Sequence, residues 1–302
     1  MIDSSVKGRS EILAQIIIVG FLTVLALLAV LPFVLLVMSS FSEEAALLRE
    51  GYGFWPKGFS IYAYKYLFVT NYLTIFRAYG ITMLVTIIGT TLSLVIAPML
   101  AYPLSRSDYP RARLITFLVF FTMLFNGGIV PSYIMWTQVF QIKNTLFAYI
   151  FPSLLFNGFY IILYKTNFKQ NIHPALIEAA KIDGAGEFYI YRKIILPMSL
   201  PIIATIGLMV GIGYWNDWVN GLYYITTPQM YSLQVYLNNL MLNMRALVSM
   251  AAGVSVDLGV SDMPAIGIRM AIAVIGTVPI IALYPFFQKA FIAGISLGGI
   301  KE

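Results

Sequence analysis

No cysteine occurs in the 302 residues and histidine occurs once, so a disulfide framework, a thiolate metal site and a histidine cluster are all excluded. Charge is scarce as well. Asp, Glu, Lys and Arg make up 11% of the chain, where a soluble domain carries about a quarter. No GxxxxGK[ST] phosphate loop is present, so the chain cannot hold ATP in that way. No internal repeat of about 20 to 50 residues is visible. What is abundant is apolar. Hydrophobic residues make up 60% of the sequence and mean hydropathy is +0.84, the balance of a chain solvated largely by lipid. The net charge of +6 does not indicate nucleic acid, because the basic residues are dispersed between apolar runs rather than gathered on one face.

A helix crosses the bilayer core with about 20 residues at a rise of about 1.5 Å each. Six charge-poor runs are long enough: Ile12 to Met38, Tyr79 to Leu104, Leu114 to Trp136, Leu146 to Tyr164, Met198 to Gly221 and Ile268 to Phe287. The first is too long for the apolar region of a cleavable signal peptide and has no clean small-residue cleavage site after it. The sequence therefore predicts an all-α, polytopic membrane protein with six transmembrane helices and both termini on one side.

Lys and Arg decide which side. Lys7, Arg9, Arg106, Arg111, Arg113, Lys165, Lys169, Lys181, Arg192, Lys193, Lys289 and Lys301 fall on one side, and Arg49, Lys57, Lys65, Arg77, Lys143, Arg245 and Arg269 on the other. The richer set sits in short loops beside span ends, which places both termini in the cytoplasm of a bacterial cell membrane by the positive-inside rule.

Two outer segments are long. Ser39 to Ala78 holds Phe54-Trp55-Pro56-Lys57-Gly58-Phe59 and the tyrosines 62, 64 and 66, aromatic content suited to a membrane interface. Leu222 to Gly267 contains Gln229, Gln234, Asn238, Asn239 and Asn243. Those amides favour a helix over Ser232 to Leu247 lying at the outer surface, followed by a loop from Gly253 to Pro264, over a seventh span or a re-entrant segment.

Between the fourth and fifth runs lies a polar island, EAAKIDGAGEFYIYRKIILPMSLP, from Glu178 to Pro201. Pro174 suits the first turn of a helix, Ala175 to Ile182 are mostly good helix formers, and Asp183-Gly184 signals a turn in which Gly can take positive φ. A second short helix, Glu187 to Ile195, then leads to Pro197. The bland alternative is an ordinary amphipathic interfacial hairpin.

The spacing of Glu178-Ala179-Ala180, Gly184, Ile194 and Leu196-Pro197 resembles the EAA loop of the membrane subunits of binding-protein-dependent ABC importers. Tyr214-Trp215-Asn216-Asp217-Trp218, Tyr284 to Lys289 and the Gly-rich tail Gly294 to Lys301 are similar to stretches of maltose-type carbohydrate permeases. So is Ala101-Tyr102-Pro103-Leu104-Ser105-Arg106, although Pro103 stands where alanine is frequent. Asn126 to Pro131 and Arg269-Met270-Ala271 look like the YtcP-like subgroup, whose members import oligosaccharides.

The resemblance implies a type I ABC importer permease fold, with a cytoplasmic tail over residues 1–11, a single permease domain over 12–302 and a coupling loop over 165–197. It implies no enzyme activity and no cofactor. Its expected partners are an ABC ATPase dimer, a second homologous permease, an extracellular solute-binding protein, an oligosaccharide and membrane lipid. Glu178, Ala179, Ala180, Asp183 and Gly184 carry over as the ATPase-coupling residues, Glu178 as the polar contact and Gly184 as the turn.

Candidates for the sugar pathway are Tyr214, Trp215, Asn216, Asp217 and Trp218, which pair aromatic faces with amide and carboxylate groups. Trp and Tyr near a span end also form interfacial belts, and Asn216-Asp217 also suits a helix cap. Asp217 is expected to face a wet cavity or to pair with a basic group such as Arg269. Asn126 and Asn157 are buried amides by position, as pathway groups or as packing glue, and Gly89, Gly207, Gly211 and Gly213 read as close-packing positions. His173 reads as loop. The rival function is a self-contained secondary transporter or channel, which would place ionisable residues deep in its spans. A structural assembly subunit without a pore is a third reading.

Overall fold

The computed structural model describes residues 9–70, 72–152, 155–253 and 266–282. Among these the chain is mostly helical, and the only β pairing is an isolated antiparallel bridge between Ser42 and Phe59. Cα packing divides the chain into two compact units. One runs through Tyr72 and takes in Asn243–Thr277; the other is Leu73–Leu242 with Val278 onward.

The first unit begins with a helix from Arg9 to Ser40. Within Ile12–Ser40 an 18-residue stretch has a mean hydropathy of 2.9, and every residue from Ile12 to Phe33 is exposed, a surface that only lipid or another apolar partner can cover. Beyond it Phe41 stacks on Phe59 and Tyr64, with centroids 5.9 and 4.9 Å apart. Trp55 and Phe59 stay largely exposed, as an interfacial aromatic segment should. The Glu44 carboxylate accepts the backbone N–H groups of Ile266 (2.8 Å) and Gly267 (2.9 Å). It thereby satisfies the first free donors of the Ile266–Ala282 helix and sits at the positive end of its dipole.

In the second unit the helix Tyr72–Ser105 buries Ile75, Ala78, Thr82, Val85, Gly89, Ser93 and Ala97. Steps of three and four residues put them on one stripe. The stripe is rich in small side chains, so the helix Leu200–Trp215 comes close. A Cβ on Gly89 would lie 2.4–2.7 Å from the Tyr214 ring, and one on Gly207 would lie 3.1 Å from Leu94. Both glycines are close-packing positions, as the sequence predicts. A second knot forms around Tyr149, whose hydroxyl donates to the Met230 carbonyl and accepts from Ser232 N–H, both at 3.0 Å. Gly221 makes room for that ring.

Among the described residues two helices are long and apolar enough to cross a membrane, Ile12–Ser40 and Tyr72–Ser105, and two bent pairs raise the number to four. The third predicted run, Leu114 to Trp136, is not one rod. Helix Ala112–Leu124 breaks and Ile129–Val139 resumes at 114°. Gly128 takes φ +87°, Asn126 Oδ1 accepts Gly128 N–H at 2.9 Å, and Pro131 enters the new first turn, all strong local turn chemistry that a hydropathy count overlooks.

The fourth run, Leu146 to Tyr164, is also displaced. A short turn, Phe147–Ile150, precedes the helix Gly158–Asn171, which Asn157 caps by accepting Phe159 N–H at 3.0 Å. The connecting loop therefore starts near Ile172 rather than at residue 165. The fifth helix ends at Trp215 and a separate one, Val219–Tyr224, follows, so the predicted span to Gly221 is too long. The helix Leu233–Gly253 does not merely lie on a surface. Leu233, Val235 and Leu237 are buried, and Leu233 N–H donates to Thr82 Oγ1 at 2.8 Å. The loop predicted after Gly253, the motif from Tyr284 and the Gly-rich tail lie outside the described residues.

Candidate functional site

The hairpin after Ile172 is built almost entirely by local backbone chemistry. Helix Pro174–Ile182 starts with Pro, whose missing N–H has no partner to lose there, and His173 Nδ1 accepts Ala175 N–H at 3.3 Å. His173 is thus a cap rather than plain loop. At the other end Gly184 takes φ +81°, the left-handed conformation that Asp183-Gly184 predicts. Gly184 N–H bonds the Lys181 carbonyl at 3.0 Å and Ala185 N–H bonds the Ala180 carbonyl at 2.9 Å, the paired bonds of a Schellman closure. The chain re-enters helix at Glu187, and Tyr191–Ile195 widens into an i→i+5 turn. Pro197 explains the widening, since it has no N–H for the carbonyl four residues earlier. The axis then bends by 79° into Leu200–Trp215.

No residue of Pro174–Ile182 is buried. Ile182 is 86% exposed and Phe188 66%, apolar area that a monomer would ordinarily cover. Four of the five predicted coupling residues line two different hollows. Ala180, Asp183 and Gly184 line a hollow of about 550 Å³ with Tyr189 and Lys193, whereas Glu178 lines a separate one of about 320 Å³ with Arg106, Asp108 and Lys181. Ala179 lies on the same exposed helix.

A charged cluster ties this hairpin to the end of the Tyr72–Ser105 helix. Tyr102 hydroxyl donates to Glu187 Oε2 at 2.6 Å. Lys181 Nζ lies 2.8 Å from Glu187 Oε1 and 3.4 Å from Asp108 Oδ2. Arg106 Nε donates to Asp108 Oδ1 at 2.8 Å, with a second bond from Nη2 to Oδ2. The forked Arg106 bonds hold the Asp108 carboxyl well below the usual range. Lys181 and then the Tyr102 hydroxyl lower that of Glu187. Tyr102 and Arg106 come from the Ala101–Arg106 stretch and Lys181 and Glu187 from the polar island, and only the fold brings them together with Asp108.

The predicted pathway residues separate into distinct roles. Tyr214 is buried with its hydroxyl donating to the Ile150 carbonyl at 2.9 Å. Asp217 is held from within: Oδ1 accepts Asn220 N–H at 3.1 Å and Oδ2 accepts Asn220 Nδ2 at 2.7 Å. Asn216 is exposed and bonds the Ile212 carbonyl at 3.1 Å, and Trp218 is exposed. Asn126 is exposed and Asn157 half-buried, so neither is the buried amide that position alone suggests. Both side chains serve turns and caps in segments that break the predicted spans. Trp215 alone of the group lines a cavity of about 290 Å³, with Thr86, Thr90, Thr91, Gly207 and Gly211. Thr86 and Thr90 lie one helical turn apart, and each has a buried Oγ1 with no hydrogen-bond partner among the described residues.

A family model described as "Binding-protein-dependent transport system inner membrane component" matches residues 12–297. The chain belongs to that family. It is therefore a membrane component of a transport system, consistent with its long apolar helices. The permease is 36% identical over 293 residues to the polygalacturonan/rhamnogalacturonan transport system permease protein YtcP of Bacillus subtilis, covering 96% of this chain and 98% of that one. It is also 36% identical to Protein LplC of the same organism, covering 93% and 92%. The arabinooligosaccharides transport system permease protein AraQ of Halalkalibacterium halodurans is 28% identical, with 98% and 99% covered. Among solved structures, a chain of a bacterial ABC transporter involved in the import of the acidic polysaccharide alginate matches at TM-score 0.74 and 26% identity, covering 95% of this permease and all of that chain. The ABC importer permease fold follows from these likenesses.

Sequence reasoning missed Thr86 and Thr90. Their signal was available as polar residues four apart in a long apolar helix, yet Thr in such a helix commonly bonds its own preceding turn. Only the approach of Leu200–Trp215 distinguishes these hydroxyls.

Proposed function

We propose that this permease is one of two membrane subunits of an ATP-driven importer of oligosaccharides. It crosses the membrane six times, with both termini and the hairpin in the cytoplasm and the 12–302 stretch acting as one permease domain. A separate ABC ATPase dimer docks on Glu178, Ala179, Ala180, Asp183 and Gly184, and an extracellular binding protein delivers the sugar. The observation that carries the coupling role is the hairpin itself: a helix with no buried residue, closed rigidly at Gly184 and flanked by exposed Ile182 and Phe188. A rigid element with uncovered apolar area suits docking into another protein's groove.

The cargo assignment follows the relatives, which are named for plant-polysaccharide and arabinooligosaccharide transport. The Thr86–Thr90–Trp215 wall suits it, since an indole face stacks on a sugar ring and hydroxyls bond its oxygens. Among the described residues no charged side chain lines that cavity, which also weighs against ion-driven transport.

Affinity purification in mild detergent followed by mass spectrometry tests the assembly. An ATPase and a second permease should copurify, and the ATP turnover of the complex should rise with oligosaccharide. A chain that purifies alone and moves solute without ATP would support the secondary-transporter reading instead. Orientation is tested by a cysteine at Gly186, where a new side chain meets open space. It should resist a membrane-impermeant thiol reagent in intact cells, and labelling from outside would overturn the topology and the coupling role together.

A further inference from the structure

Where the helices Tyr72–Ser105, Ala112–Leu124 and Gly158–Asn171 end or begin together, a cleft of about 430 Å³ opens between them. Arg106, Arg113, Lys165 and Lys169 line it, with Tyr109 and Thr116 among the other groups, and no Asp or Glu is among the described residues that line it. Lys165 and Lys169 are four apart on one helix, a like-charge spacing that disfavours the helix unless something negative sits between them. Lys165 Nζ donates to the Thr116 hydroxyl at 2.9 Å, a neutral partner that leaves its charge uncompensated. Arg106 commits Nε and Nη2 to Asp108, while its Nη1 is buried with no partner. A buried guanidinium donor left unpaired is costly. Four cations, of which Arg106 is already paired with Asp108, and an orphaned donor line a cleft with room for several waters of about 30 Å³ each.

We propose that this cleft binds a phosphate-type anion, supplied by the headgroup of an anionic lipid in the leaflet beside it. Its place at the helix ends puts it at headgroup level, and on the orientation proposed above that leaflet is the cytoplasmic one, where anionic lipids attract basic groups. The inference rests on that orientation but not on the ATPase. Occupancy would pull together the ends of the three helices, and Arg106 would link the anion to the Asp108–Lys181–Glu187 cluster on the hairpin.

The test uses the permease as purified from the membrane, in neutral detergent. Its thermal midpoint is followed while phosphatidylglycerol, phosphatidylcholine or inorganic phosphate is added. Phosphatidylglycerol should raise the midpoint of the native chain and phosphatidylcholine should not. The Lys165→Gln/Lys169→Gln double variant should need about thirtyfold more phosphatidylglycerol for the same rise, at about 1 kcal/mol per cation. Its midpoint in neutral detergent should be unchanged or higher, because the like-charge pair is gone. Lys165→Arg/Lys169→Arg and the remote Lys143→Gln should respond like the native chain, which guards against a general folding defect. A rise with inorganic phosphate alone, lost in the double Gln variant, would keep the anion site but assign it to a soluble anion. A lipid response undiminished in the double Gln variant, or equal responses to the two lipids, would overturn the proposal. Copurification of an ATPase with either result leaves the importer reading standing, so the two can fail separately.

Discussion

The hairpin and the Thr86–Trp215 wall solve opposite problems. In the hairpin each turn is decided by neighbours in sequence: Pro174 at the first position, His173 as cap, Gly184 at φ +81° with two closing backbone bonds. Nothing lies within 4 Å of a Cβ built on Gly184, so backbone conformation alone requires glycine there. In the wall the backbone is ordinary helix and the requirement is distance. Gly89 has no unusual φ, yet Tyr214 occupies the space its side chain would need. Glycine is needed in both places, for unrelated reasons, and the two kinds of need fail differently when broken.

The largest expected effect is at the wall. Gly89→Val puts branched carbon into a ring that is buried and tethered through its hydroxyl to Ile150, and overpacking of this kind costs about 3 kcal/mol or more when the neighbour cannot yield. The variant should insert poorly or lose most of its thermal stability in detergent. Retained stability would mean that the Leu200–Trp215 helix can shift to make room for the new side chain.

Gly184→Val should do the reverse, leaving insertion and thermal stability nearly intact while reducing uptake and sugar-stimulated ATP turnover. The strain of a β-branched residue at positive φ is about 1–2 kcal/mol, and in an exposed hairpin it is relieved by misaligning the docking helix rather than by unfolding. Gly184→Asn sharpens the point, since Asn tolerates that conformation and should preserve most activity. If both variants transport normally, the turn is not part of coupling. If Asn fails as badly as Val, the glycine is required by contact with a partner rather than by φ.

How much of each region was legible follows from the same contrast. Pro174, Asp183-Gly184 and Pro197 announce their turns within a few residues, so the hairpin was read close to its observed geometry. The breaks at Gly127-Gly128 and before Gly158 used the same local chemistry. They were overlooked because a hydropathy count weighs apolar length and ignores turn residues inside it. The wall was harder. That Trp215 lines a cavity while Tyr214 seals a helix contact depends on how Leu200–Trp215 rotates against Tyr72–Ser105, a long-range outcome that adjacent aromatic residues cannot disclose. Asp217 was singled out for its charge, but its bonds to Asn220 are those of a residue shaping the entry to Val219–Tyr224.

Thr90→Val probes the wall more gently. Thr90 Oγ1 is buried with no partner among the described residues, so removing it should leave stability unchanged or improve it by about 1 kcal/mol, the reverse of the usual polar-to-apolar penalty. If the hydroxyl serves the cargo, the sugar concentration for half-maximal uptake should rise about fivefold, the worth of one hydrogen bond, with assembly intact. Unchanged uptake would remove this wall from the pathway.

The smallest effect is expected where the hairpin meets the Arg106–Asp108 corner. Glu187→Gln keeps a hydrogen-bond acceptor for the Tyr102 hydroxyl but removes the charge facing Lys181 and Arg106. Glu187 is more than half exposed, so water screens the pair and the loss should stay below about 1 kcal/mol. The sign of its pH dependence is fixed by the carboxyls. Both Asp108 and Glu187 have folded values below their ordinary 3.8 and 4.5, so the folded state favours their ionised forms. Their contribution is complete above those ordinary values and disappears only as pH falls past them towards the depressed ones. Hydrogen exchange along residues 181–187, corrected for the pH dependence of the intrinsic rate, should therefore be the same at pH 8 and pH 6 in the native chain and only slightly faster in Glu187→Gln. A marked loosening of the native hairpin between those two values would mean that a group outside this cluster governs its attachment.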